Sequence, residues 1–111
     1  MAPLVSHIYE LGLVEAISIP QTECFEGALQ FARAEGIVPA PEPTHAIAAA
    51  VREAMACKES GEEKVILTAL CGHGHLDLAA YETFLSGQMV DLDLPDSAIQ
   101  EAMQNVPEIE D

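Results

Sequence analysis

Basic residues are nearly missing from this chain: 4 Lys and Arg stand against 19 Asp and Glu in 111 residues, a formal net charge of -15. A nucleic acid or an anionic membrane surface needs a basic footprint, so neither is an expected partner. The acidity reads instead as solvation of helix faces, at Glu59, Glu62 and Glu63 and at the terminal Glu108, Glu110 and Asp111. Cysteine pairs are missing too. Cys24, Cys57 and Cys71 form no CxxC and, being 3 in number, cannot all pair within the chain, which suits a reducing compartment. No basic segment followed by an apolar core and cleavage site is present at the start, and no apolar run approaches a bilayer's width. We therefore expect a cytoplasmic, soluble protein. Internal repeats and low-complexity stretches are absent as well, while 50% of the residues are apolar, enough for one domain of ordinary size.

What is present is a series of short, well-punctuated elements. Residues 3–11 read as a helix burying Leu4, Ile8 and Leu11, with Gly12 as its left-handed stop. Residues 13–19 are rich in branched apolar side chains and end at Pro20, the pattern of a strand. Thr22 is placed to cap a helix whose Phe25, Ala28, Leu29 and Ala32 share one face, while Glu23, Glu26, Gln30 and Arg33 face water, and Gly36 ends it. The stretch IVPAPEPTHA, residues 37–46, carries Pro39, Pro41 and Pro43 and is expected to be irregular until its last residues. A helix follows, with Ile47, Val51, Ala54 and Met55 as its buried stripe, alanines suited to packing on a sheet, and Gly61 as its stop. Asp77 is a fair N-cap for a helix over 78–86 with Gly87 beyond, and Pro95 and Pro107 bracket a last short helix over 96–104.

The run KVILTALCGHGHLD, residues 64–77, is the most informative. Residues 65–70 are almost continuously apolar, as in a parallel strand covered on both faces, and Cys71, Gly72, His73, Gly74 and His75 then form a glycine loop that opens a helix. In open α/β sheets ligands bind beyond the carboxyl ends of strands, at such loops. The class predicted is therefore α/β, with about two strands and four to five helices. Two strands are too few to bury the helices of a parallel layer, so they pair with another copy of the chain or with something larger.

Beside a fragment of an enzyme, the loop raises a metal-binding, a nucleophilic and a non-catalytic reading. Cys71, His73, His75 and Asp77 have the spacing C-x-H-x-H-x-D, with ligand types that suit zinc. Structural zinc motifs combine two separated pairs, however, and alternate residues of an extended chain point to opposite sides, which argues against one four-ligand site. Nucleophilic catalysis by Cys71 with His73 or His75 lacks an orienting carboxylate fixed by sequence. A non-catalytic interaction domain is the third alternative. Taken alone, a cysteine at a strand end is plain packing and paired glycines are a tight turn.

The succession LVSHIYELGLVEAISIPQTECFEGALQFARAEGIVPAPEPTHAI, a helix, and KVILTALCGHGHLDLAAYETFLSG resembles the C-terminal part of the tryptophan synthase β-chain, and within it the divergent second β-type, whose chains share EGI-P-PEP-HAI and GHGH-D. The resemblance covers residues 1–91; residues 92–111 form an acidic tail with a short helix. It implies a type II pyridoxal-phosphate fold with two α/β domains and the cofactor between them, and a lyase that joins L-serine and indole to give L-tryptophan. It also implies that Met1-Ala2-Pro3 is internal to a longer protein, whose upstream part holds the cofactor-linked lysine, the phosphate loop, the substrate-carboxylate loop and the catalytic carboxylate. No catalytic residue is then expected here. Cys71 stands where the family has a serine that hydrogen-bonds the pyridine nitrogen, and as a weaker hydrogen-bonding group it alters that contact. With Gly72, His73, Gly74 and Glu42 it makes the expected cofactor-binding set, while His45 matches a family histidine read as structural.

Lysines support this independently. A lysine that bonds a cofactor aldehyde needs a pKa lowered by burial or cationic neighbours. The chain has Lys58 beside Glu59 and Lys64 after Glu62 and Glu63, carboxylates that push an amine the wrong way. The chain alone is therefore expected to be an inactive fragment that binds no pyridoxal phosphate, to lack any metal, and to self-associate, as a homodimer or with the missing N-terminal part of the enzyme.

Overall fold

The computed structural model describes residues 2–104 and Val106. Met1, Pro107 and the acidic Glu108, Glu110 and Asp111 lie outside the described residues. Among the described residues five α-helices follow in order: α1 (Pro3–Glu10), α2 (Gln21–Glu35), α3 (Pro41–Ser60), α4 (Leu78–Leu85) and α5 (Asp96–Met103), with a 3-10 turn over Gly74–Leu76 before α4.

Two helices make the centre. α2 packs along α3. Their crossing is close because the residues there are small: a Cβ added to Gly27 would sit 3.6 Å from the Ala48 backbone and the Ile47 side chain. Ile19, Cys24 and Ala48 bury one apolar cluster at this contact. A second joins α2 to α4, where Phe25, Ala28 and Tyr81 are buried among Leu29, Val38, Phe84 and Met89. The Phe25 ring meets Tyr81 edge-on at 5.0 Å and stacks with Phe84 at 5.6 Å. Both pairings lie in the range that adds to area burial. Across the helix pair, Arg52 holds Glu23 through two N–H donors, each at 2.5 Å, and this pairing lowers the Glu23 carboxyl below its ordinary value.

The glycine stops are where sequence placed them. Gly36 ends α2 at φ 70° and Gly61 ends α3 at φ 73°, a region open to glycine at no steric cost. The α2 entry differs from expectation. Pro20 occupies the N-cap, and Thr22 makes no cap of its own; its N–H donates instead to Asp91 Oδ1 at 3.0 Å and its hydroxyl to Asp91 Oδ2. Asp77 precedes α4 as expected, without a side-chain capping bond.

The proline-rich stretch corrects a second expectation. α3 already begins at Pro41, with Glu42 and Pro43 in its first turn. The first N–H groups of a helix have no intrahelical acceptor, so prolines there lose nothing, and their fixed φ already suits a helix. Thr44 is fully buried and its hydroxyl donates to the Pro41 carbonyl at 2.5 Å.

The larger correction concerns the sheet. Among the described residues there is no strand; the one β-bridge is antiparallel, Pro39 to His73. Residues 13–19 and 65–70 form no ladder with each other, and a strand exists only where a second extended segment runs about 4.8 Å away. The run read as covered on both faces is open: Val65 is 99% and Leu67 95% exposed. Alternation survives nonetheless. Ile66 and Thr68 turn the other way, lining a shallow apolar cleft with Phe31, Ile47, Val51 and Ala54. The alanines of α3 therefore pack on α2 and on this lone segment, with no sheet. Other expected core positions also stay exposed: Leu4 of α1 and Leu11 just after it, and Ala54 and Met55 of α3.

Surface area gives the same answer. The chain exposes 9045 Å², where a compact monomer of 11.8 kDa exposes about 5,900 Å². Its radius of gyration is 17.2 Å, against about 13 Å for a compact domain of this length.

Candidate functional site

The glycine loop is held against the start of α3. The Gly74 N–H donates to the Val38 carbonyl at 2.8 Å, and the Ala40 N–H donates to the Gly72 carbonyl at 3.1 Å. These two bonds flank the Pro39–His73 bridge. The pairing is close enough that a Cβ on Gly74 would overlap the Pro39 carbonyl oxygen, and one on Gly72 would press on the Ala40 methyl at 3.2 Å. Gly74 is thus required by chain packing, while Gly72 sits in a tight fit. Neither has a positive φ.

Tyr81 secures the junction from a third direction. Its hydroxyl, carried up from α4, donates to the Pro39 carbonyl at 2.6 Å. Burial first, and the nearby Asp77 charge second, raise the phenol above its ordinary value, so it remains a donor throughout the working pH range. Sequence reasoning missed this residue. The available signal was that a tyrosine buried in an apolar helix face needs a partner for its hydroxyl.

The expected cofactor set falls at one end of α3. Gly74 is buried in the bridge, whereas Cys71, Gly72 and His73 are exposed beside it, and Glu42 is exposed in the first turn of α3. His73 accepts from the His75 N–H at 3.3 Å through Nδ1, and the two ring centroids lie 4.5 Å apart with their planes tilted by 38°. His45 rests its Nδ1 3.2 Å from the Glu42 carbonyl. Among the described residues, no group of three or more His, Cys, Asp or Glu is arranged to hold a metal ion, and no helix is long and apolar enough to cross a membrane.

The lysines lie elsewhere. Lys58 is in the last turn of α3, about 24 Å along the axis from Glu42 at 1.5 Å per residue. Lys64 pairs with Glu62 at 3.0 Å in the open. Neither is brought to the loop.

The loop lies between an extended apolar segment and α4 and is seated against the start of α3. Curated relatives of this chain include tryptophan synthase β-chains. The chain is 59% identical over 90 residues to tryptophan synthase beta chain 2 of Aquifex aeolicus, covering 81% of this chain and 21% of that one. It is 52% identical over 89 residues to the beta chain 2 of Methanosarcina acetivorans, covering 80% and 20%, and 55% identical over 80 residues to that of Thermotoga maritima, covering 72% and 19%. No family model matches the chain. It spans about a fifth of the length of the curated relatives it matches. The resemblance read in the sequence holds: this stretch is tryptophan synthase β-like.

Proposed function

We propose that this chain forms one wall of the pyridoxal-phosphate pocket in a tryptophan synthase β-like lyase that converts L-serine and indole to L-tryptophan and water. The observation that carries this is an identity of 46–59% along about four-fifths of the chain, loop included. The groups present suit the edge of an aromatic cofactor. The Gly72–Gly74 backbone is thin and pinned, a thiol stands at its open side, and a carboxylate sits at the neighbouring helix start. When bound, pyridoxal phosphate supplies an electron sink for the loss of the serine hydroxyl and the addition of indole. The chain's own part is orientation. Cys71, Gly72, His73 and Gly74 would hold the edge of the cofactor ring, and the Glu42 carboxylate would contribute from the start of α3. No group here forms the covalent link, because Lys58 and Lys64 are remote from the loop and flanked by carboxylates.

The remainder of the pocket comes from further polypeptide, and the unpaired segment at residues 65–70 is where it joins. The chain alone then binds no cofactor covalently and is inactive. The test is a chimera in which the matching segment of the Aquifex aeolicus chain is replaced by residues 1–91 of this one. It is expected to retain the cofactor's visible absorbance and to make tryptophan, with Cys71→Ser shifting the cofactor spectrum. A chimera that folds and holds the cofactor yet makes no tryptophan sinks the proposal. So does the isolated chain if borohydride traps cofactor on Lys58 or Lys64 and tryptophan is formed.

A further inference from the structure

We propose that residues 88–93 form a releasable strap, closed by Asp91 acting as a long-range N-cap on α2. A helix beginning after Pro20 has exposed N–H groups and no capping side chain of its own. Asp91, 69 residues away, fills the role: its two carboxylate oxygens take the Thr22 N–H and the Thr22 hydroxyl. Next to it Gln21 Nε2 donates to the Val90 carbonyl at 2.6 Å. Two residues earlier, Met89 packs on the Phe25–Tyr81 cluster. The strap thus has an apolar foot and a polar clasp.

Beyond the clasp the chain opens out. Leu92 and Leu94 are exposed, and α5 buries no residue. The strap also forms one side of a cleft whose other side is Ser18, Ile19, Gln21 and His45, so opening it uncovers the start of α3. The clasp is polar and in solvent while the core beneath is apolar, which allows it to open without disturbing α2 against α3.

Protonation breaks the clasp, because a neutral carboxyl accepts these bonds poorly. The Thr22 hydroxyl and N–H, then Gln21, hold the Asp91 carboxyl below its ordinary value. Glu23 and Cys24 on α2, His45 at the start of α3 and Asp93 on the strap itself are the titratable groups around it, and Arg52 is engaged by Glu23. The clasp is thus present above the ordinary aspartate pKa and lost as pH falls through the lowered one.

Amide hydrogen exchange and NMR titration of the whole chain test this. In Asp91→Ala the Thr22 amide is expected to exchange about fivefold faster, the size of a lost N-cap. Proteolysis within residues 88–95 is expected to accelerate with it, while Ala28 and Ala48 amides keep their rates. The Thr22 amide resonance of the native chain should titrate below the ordinary carboxylate range and stay flat over that range in Asp91→Asn. An unchanged Thr22 amide in Asp91→Ala overturns the clasp. A uniform rise across α2 and α3 overturns the strap as a separable device, and so does a Thr22 midpoint at the ordinary carboxylate value.

Discussion

The α2–α3 pair and the segment at residues 61–70 are built from similar apolar stock and end in opposite states. In the first, Phe25, Ala28, Ile47 and Ala48 are buried; in the second, every residue is exposed, although 65–70 is the chain's most apolar run. The difference is the company each keeps. A helix satisfies its own backbone and needs one apolar stripe covered, which the neighbouring helix does. An extended segment needs backbone partners on its edges as well, and α3 can offer only side chains to one face. Residues 65–70 thus carry the marks of a segment made for a fuller environment: alternating sides, open edges, and Val65 and Leu67 in water. The surface excess, about 3,000 Å², is well above the ~800 Å² that one partner covers in a standard interface.

The contrast can be broken from the buried side. Phe25→Ala removes the ring that joins α2 to Tyr81 and Phe84 and should cost about 3–5 kcal/mol, read as a lowered midpoint in urea. A cost under about 1 kcal/mol would mean that the helical region is as loosely held as the segment.

Between the two regions lies the loop junction. Gly74→Ala places a methyl against the Pro39 carbonyl and is expected to cost about 1–3 kcal/mol. Because the φ there is not positive, the penalty is packing alone. Exchange should quicken at the Gly74 and Ala40 amides first. If they are unaffected, the bridge does not hold the loop to α3.

From the open side the effect on the chain's own stability is smallest. Val65→Ser with Leu67→Ser should change it by no more than about 0.5 kcal/mol, since neither side chain is covered. Light scattering should nevertheless show weaker self-association, the native chain associating more as salt screens its charge of -15. A loss of several kcal/mol would mean that the segment is buried after all.

Helices and their ends were legible in the sequence because their signals are local. Gly36 and Gly61 stop helices by a backbone conformation that needs no partner, and the stripe from Phe25 to Ala28 points at whatever lies beside it. Strands were not legible as such, since periodicity reports a tendency to be covered and cannot supply the cover. The proline-rich start of α3 was misread by counting prolines without asking which helical position each takes. At the candidate site, the sequence named the loop and Glu42, and the fold brings them to one end of α3. The links between them are main-chain bonds and a tyrosine from α4, made across distances that no local pattern records.

The α2–α3 contact carries a kinetic corollary. Its partners, such as Gly27 and Ala48, are joined by a short loop, so they meet early, when little chain entropy is lost in closing it. The bridge from Val38 and Ala40 to Gly74 and Gly72, and the Tyr81 tie over it, close longer loops and are expected to form late. Bonds made after the rate-limiting step leave the folding rate nearly untouched and govern instead how fast the native state comes apart. The glycine loop is therefore expected to act as a brake on unfolding, so that damage to it shortens the lifetime of the folded chain without slowing its birth.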